Sequence, residues 1–178
     1  MATDEELILE FQNGSQEAFE ELFRRYLEPI YGFFRRRLSD IARAEELAQE
    51  TFLAVLRGRE RYEPRAPVRT YLYGIAFRQL AAERRKASHN SHQVAEPSIS
   101  HDPDATLWVR QAISRLDSDA REVVMLREYE QLSYEEIARL LGIPINTVRS
   151  RLFRARMELK NHLLSRECHS ERSEESKH

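Results

Sequence analysis

The sequence predicts an all-α protein made of two small helical domains joined by a flexible linker. Three observations lead there. The 178 residues include only five glycines and six prolines, and the abundant Leu, Glu, Arg and Ala favour helices over strands and tight hairpins. Apolar residues recur at helical spacing in two separate blocks. Between them, from Arg85 to Asp104, RKASHNSHQVAEPSISHDPD loses that period and gains Ser, His, Asn and Pro, the composition of a linker. The expected boundaries are 1–86 for the first domain, 87–103 for the linker, 104–164 for the second domain and 165–178 for a disordered tail. The closing ECHSERSEESKH is too polar to fold alone.

Within the first block, helices are expected over 4–13, 15–38, 40–57 and 68–86, separated by NGS, LSD and RGRERYEPRAP. Four shorter ones follow the linker, near 104–115, 118–129, 133–141 and 144–164, broken by LDS, EQLS and GIP. A tether of roughly 15–20 residues lets the two domains act at separated places.

The net charge of −2 is unevenly spread. Residues 1–50 hold twelve acidic and six basic side chains, whereas 57–86 hold nine basic against three acidic. Residues 143–166 are basic again, with Arg149, Arg151, Arg154, Arg156, Lys160 and Arg166 against Glu158 alone. Two basic patches on a near-neutral chain suit two contacts with a polyanion, and the acidic remainder suits a basic partner.

Other classes find little support. No run of eighteen apolar residues could span a bilayer, and MATDEELILE is no signal peptide, so no membrane insertion and a cytoplasmic location are expected. Cys168 has no second cysteine to pair with. His89, His92 and His101 are scattered in a polar stretch without the cysteine or carboxylate company of a metal site, so no metal and no cofactor are expected. There is no Walker loop, no Ser/His/Asp signature and no paired carboxylates in an apolar setting. The chain therefore reads as a non-enzyme with no small-molecule substrate.

LSYEEIARLLGIPINTVRSRLFRARMEL holds the parts of a helix-turn-helix in order. Ser133 and Glu136 form a capping box, Ile137, Leu140 and Leu141 an apolar face, Gly142 a stop, and Pro144 a first-turn residue. A short turn containing glycine lets two helices cross and place the second in a major groove. At helical spacing Val148, Leu152, Ala155 and Leu159 form the buried stripe. Phe153 lies on the opposite face with Asn146, Ser150, Arg154 and Met157, flanked by Arg149 and Lys160. It is thus placed to touch a thymine methyl, while Arg149 and Arg154 can reach guanine edges or phosphates.

On the helix around 44–56, Glu46, Gln49, Glu50 and Leu53 share a face opposite Leu47, Thr51 and Val55. That acidic face with one leucine suits a basic partner helix. In the helix after RGRERYEPRAP, Tyr71, Gly74, Arg78 and Arg85 form a stripe opposite Leu72, Ala76 and Leu80. Tyr73 and Phe77, on the shoulder, suit either the core or a stacked base. Basic side chains interleaved with aromatics suit single-stranded DNA, where stacking is worth about 1–3 kcal/mol per base.

AEELAQETFLAVL, RTYLYGIAFRQLAAERRK and AISRLDSDAREVVMLREYEQLSYEEIARLLGIPINTVRSRLFRAR, in that order and spacing, resemble regions 2.2, 2.4 and 4 of an extracytoplasmic-function sigma factor of the sigma-70 family. The resemblance spans roughly residues 5 to 164. It implies a bacterial transcription-initiation subunit whose partners are core RNA polymerase, promoter DNA and an anti-sigma factor. It assigns core-polymerase binding to Glu46, Gln49, Glu50 and Leu53. To the −10 element it assigns Arg57, Arg59, Arg61, Tyr62, Arg65, Tyr71, Arg78, Arg84 and Arg85, with the loop from Arg57 to Ala66 holding an extruded base. To the −35 element it assigns Asn146, Thr147, Arg149, Ser150, Arg151, Phe153 and Arg154. The linker is expected near the RNA exit path, where Glu96, Asp102 and Asp104 could mimic a strand's charge. The chain departs from the family pattern at Arg43, where aspartate is usual, and at Val68, Tyr71, Arg78 and Asn146, where phenylalanine, tryptophan, asparagine and glycine are common. The rival reading is an autonomous helix-turn-helix regulator, which would need a dimer interface and a palindromic site. A protein that sequesters a basic partner, and a nuclease, fit less of the pattern.

Overall fold

The structure, a computed structural model, describes residues 2–63, 65–90 and 107–175, with side chains over 2–63, 65–87 and 109–162. The side chains of His89, His92, Glu96, His101, Asp102, Asp104 and Cys168, on which the linker, metal and thiol readings bear, lie outside the described residues. Chain contacts divide the protein into two units, Met1–His101 and Asp102–His178. Among the described residues there are α-helices and one 3₁₀ turn and no strand.

The first unit contains α1 (Asp4–Gln12), α2 (Gln16–Arg35), α3 (Ile41–Arg57), a 3₁₀ turn at Arg59–Arg61, and α4 (Val68–Asn90). Each of the first three starts where a side-chain oxygen satisfies an otherwise orphaned amide. Thr3 and Glu6 form a capping box on α1, Ser15 accepts from the Ala18 amide at 3.2 Å, and Asp40 accepts from the Arg43 amide at 3.1 Å. The start of α4 is capped from a distance: the Val68 amide donates to Glu5 of α1 at 3.2 Å. The core gathers Ile8, Ile30, Phe33, Phe34, Leu47, Val68, Leu72 and Leu80, all at most 2% exposed. An aromatic run links α1, α2 and α3, with centroids 5.0 Å apart for Phe11–Phe19, 6.4 Å for Phe19–Phe23 and 4.8 Å for Phe23–Phe52. Pro29 lies inside α2, which carries on past it.

The second unit contains α5 (Leu107–Arg115), α6 (Ser118–Glu128), α7 (Tyr134–Leu141) and α8 (Ile145–Glu175). Its core of Leu116, Val123, Leu126, Leu132, Ile137, Val148, Leu152 and Ala155 is essentially closed to water. Asp117 caps α6 by accepting from the Asp119 and Ala120 amides at 3.0 and 2.9 Å.

Two ends differ from expectation. The helix expected to stop at 86 runs to Asn90, because no glycine or proline interrupts ASHN. The final helix, expected to end near 164 ahead of a disordered tail, is continuous to Glu175. Residues 165–175 again hold neither breaker, and Ser, Glu and Arg are tolerated in a helix already begun.

Candidate nucleic-acid interface

The helix-turn-helix is built from local chemistry. Ser133 accepts from the Glu136 amide at 3.2 Å, and Glu136 reaches back to the Ser133 amide at 2.7 Å, closing the capping box that starts α7. Gly142 ends α7 in the left-handed region at φ 66°, which lets the Ile143 amide return to the Ala138 carbonyl at 3.1 Å. Two residues on, α8 begins.

On α8, Val148, Leu152 and Ala155 are buried and Leu159 half-buried, so the opposite face meets water. Phe153 is 66% exposed, with Met157 also exposed one turn on. A phenylalanine that far out of the core has its ring available to a partner. Asn146, Arg149, Ser150 and Arg154 stand exposed beside it and Thr147 is half-buried. The arginines lean on their own helix only weakly, Arg149 towards Asn146 at 3.4 Å and Arg154 towards the Ser150 carbonyl at 3.5 Å. Arg151 departs from the expected set. It is turned off this face, half-buried, and ion-paired to Asp119 of α6 at 2.7 Å. One helical step past Ser150 brings its side chain round towards α6, so it ties α8 to α6.

The first unit carries the other basic surface. Arg57 at the end of α3, Arg59, Arg61 and Arg65 of the loop after it, and Arg78, Arg84 and Arg85 of α4 are exposed, and Arg65 pairs with Glu63 at 2.7 Å. Tyr71 is half-buried, and burial raises its phenol above the ordinary range. Tyr62 corrects an expectation. It is 5% exposed, its hydroxyl donates to the Ala66 carbonyl at 2.9 Å, and its ring meets Tyr71 edge-on at 5.3 Å. Buried on both sides, it shapes the loop from inside and presents no face to a base. Tyr73 goes to the core against Phe33, centroids 5.7 Å apart, and Phe77 is half-buried. Gly58 lets the loop turn tightly here, since a Cβ would come 3.0 Å from the Ala54 carbonyl oxygen.

What holds this loop has no local signature. The Gln12 amide, at the end of α1, donates to the carbonyls of both Arg59 and Tyr62 at 2.9 Å. Those bonds cross 47 and 50 residues, so no local pattern could have revealed them.

A third surface is the outer face of α3. Glu46, Gln49, Glu50 and Leu53 are exposed, while Leu47, Thr51 and Val55 are buried behind them. Leu56, 42% exposed and three residues beyond Leu53, adds an apolar neighbour that the helical period could have found. Arg43 lies against this face. Its Nε and Nη2 grip the two oxygens of Glu83 on α4 at 3.0 and 2.8 Å, and its Nη1 donates to Glu46 at 2.9 Å and Glu50 at 3.1 Å. That grip holds the Glu83 carboxyl below the ordinary glutamate range and raises the guanidinium. Among the described residues, no group of His, Cys, Asp or Glu could hold a metal ion, and no helix is long and apolar enough to cross a membrane.

A helix-turn-helix in one unit, with a basic loop and an acidic helix face in the other, defines a bipartite helical protein with surfaces suited to DNA and to a protein partner. Comparison with known proteins narrows this class. The family pattern described as Sigma-70 region 2 matches residues 22–90, and that described as Sigma-70, region 4 matches residues 106–159. The chain is 32% identical over 161 residues to RNA polymerase sigma factor YlaC of Bacillus subtilis, covering 83% of this chain and 93% of that one. It is 32% identical over 182 residues to the ECF RNA polymerase sigma-E factor of Haemophilus influenzae, covering 89% and 94%. Among solved structures it is similar in fold to CnrH, determined in complex with the cytosolic domain of CnrY, with a TM-score of 0.67, 24% identity, and 89% and 96% of the two chains covered. The chain belongs to the extracytoplasmic-function RNA polymerase sigma factors of the sigma-70 family. Its function is therefore to bind core RNA polymerase and direct promoter recognition, melting and transcription initiation.

Proposed function

We propose that the family's function is divided between the two units along the surfaces described above. The first unit docks core polymerase through Glu46, Gln49, Glu50 and Leu53, joined by Leu56. The same unit engages the −10 element through Arg57, Arg59, Arg61, Arg65, Tyr71, Arg78, Arg84 and Arg85, with Tyr62 supporting the loop from within. The second unit reads the −35 element through Asn146, Thr147, Arg149, Ser150, Phe153 and Arg154. The observation that carries this division is the exposed, basic outer face of α8 with Phe153 at its centre, on a unit separate from the one bearing the α3 face.

Each patch is small, and that fits tethering. Contacts too weak to hold promoter DNA alone become effective once both units are fixed to one polymerase. The basic surfaces contribute salt-dependent phosphate contacts, and the exposed side chains of α8 contribute base discrimination. The chain itself then catalyses nothing, since bond formation belongs to the polymerase, and it acts in the cytoplasm where the polymerase is. An anti-sigma factor is a further partner, one that would cover these same surfaces.

Capture of bacterial core RNA polymerase by the purified chain tests the division. The Glu46→Arg/Gln49→Ala double variant should lose capture, while Phe153→Ala should retain it. Equal capture by the double variant would remove the α3 face from the core contact. Tight, sequence-specific duplex binding by the chain alone at physiological salt would refute the dependence on tethering.

A further inference from the structure

The acidic face of α3 contains a cation that docking to a basic partner does not require. Arg43 holds three carboxylates at once: Glu83 through both its oxygens, and Glu46 and Glu50 through one oxygen each, at 2.9 and 3.1 Å. The arginine side chain is only 25% exposed, whereas Glu46 and Glu50 are 61% and 47% exposed. The carboxylates therefore remain on the surface, but each already accepts a charge-assisted hydrogen bond from within.

We propose that Arg43 restrains the docking face: anchored to α4 by Glu83, it occupies one oxygen each of Glu46 and Glu50 and so lowers this chain's affinity for a basic surface of core polymerase. The inference rests on the docking role proposed for that face. An incoming guanidinium binds a carboxylate best through both oxygens, and here one of each pair is taken. It also meets a like charge beside Glu46 and Glu50. The cluster of Arg43, Glu46, Glu50 and Glu83 carries one positive and three negative charges, −2 in all, and would carry −3 without the arginine. Arg43 cannot swing aside freely, because leaving means breaking its two-bonded grip on Glu83. The same contacts tie α3 to α4, so one residue both stabilises the bundle and restrains its docking.

Those two roles separate experimentally. The full chain, fluorescently labelled, is titrated with bacterial core RNA polymerase at low and high salt, and its thermal unfolding is followed in parallel. Arg43→Gln should melt at a lower temperature yet bind core about 2–5-fold more tightly at low salt, the scale of one part-exposed charge contact. The gain should shrink as salt rises. Glu83→Gln loosens the α3–α4 tie but keeps the cation, so it should also melt lower while binding no more tightly than wild type. Arg43→Lys, which keeps the charge without the fork, should fall between wild type and Arg43→Gln and guards against a variant that does not fold. Equal or weaker binding by Arg43→Gln, or weaker binding by Arg43→Lys, overturns the inference, provided Glu46→Arg abolishes capture. If Glu46→Arg binds core like wild type, it is the docking role of the face that has failed.

Discussion

Replacing Gln12 tests whether the basic loop is held from the far end of α1. The native amide places both of its N–H bonds, each 2.9 Å from donor to acceptor, on the carbonyls of Arg59 and Tyr62. Gln12→Ala leaves those carbonyls without that donor. At about 0.5–1.5 kcal/mol net per bond the loss is about 1–2 kcal/mol, because the Arg59 contact is exposed and water replaces part of it. For a unit of this size, that lowers the melting temperature by roughly 5–15 °C. Gln12→Glu is the sharper variant. It has the same shape, but its carboxylate only accepts, so it sets negative oxygens against two carbonyl oxygens. The expected order of stability is wild type, then Gln12→Ala, then Gln12→Glu. Since the loop carries Arg59 and Arg61, permanganate reactivity of promoter thymines should fall in the same order, while capture of core polymerase stays near wild type. Thermal unfolding by circular dichroism provides the first readout. A Gln12→Glu chain that melts at the wild-type temperature would refute the reasoning, because no arrangement of the two bonds survives that exchange.

Neighbouring residues of α8 should behave oppositely. Leu152→Ala, at a site 1% exposed, should cost about 2–5 kcal/mol in urea unfolding. Phe153→Ala, at a site 66% exposed, should stay within about 0.5 kcal/mol and lose preference at one base pair of the upstream element instead. Arg154→Ala should lose about 1–3 kcal/mol of discrimination at one upstream position. Arg151→Ala should leave base preference intact and cost at most about 1 kcal/mol of stability, as expected of its part-exposed pair with Asp119, when promoter variants and unfolding are compared. Acid should weaken the α3–α4 tie. Arg43 lowers the folded-state pKa of Glu83 below the ordinary value of 4.5, so its contribution is complete above that value and is lost as pH falls through the lower folded one. A melting-temperature profile across that range should be flatter for Arg43→Gln.

How much was legible from sequence follows the range of the interactions. The capping box of Ser133 and Glu136, the left-handed stop at Gly142 and the buried stripe of Val148, Leu152 and Ala155 are settled within a few residues, so pattern alone located the helix-turn-helix. The exposed face of α3 was legible for the same reason, because helical period fixes which side chains share a side. Period does not say what lies across from a face, and there tertiary structure decided. Tyr62 sits in a basic loop and reads as a DNA contact, but packing against Tyr71 and the bond to Ala66 turn it inward. Arg151 belongs to a run of arginines, but Asp119, 32 residues earlier in the chain, takes it. Gln12 shows no local mark of its hold on the loop, and Arg43 none of its grip on Glu83. The sequence by itself determined the helices, their caps and the charge on their faces, since those depend on neighbours a turn away. Which charges are spent inside the protein, and which remain for a partner, depended on helices meeting at distances in sequence that no local pattern records.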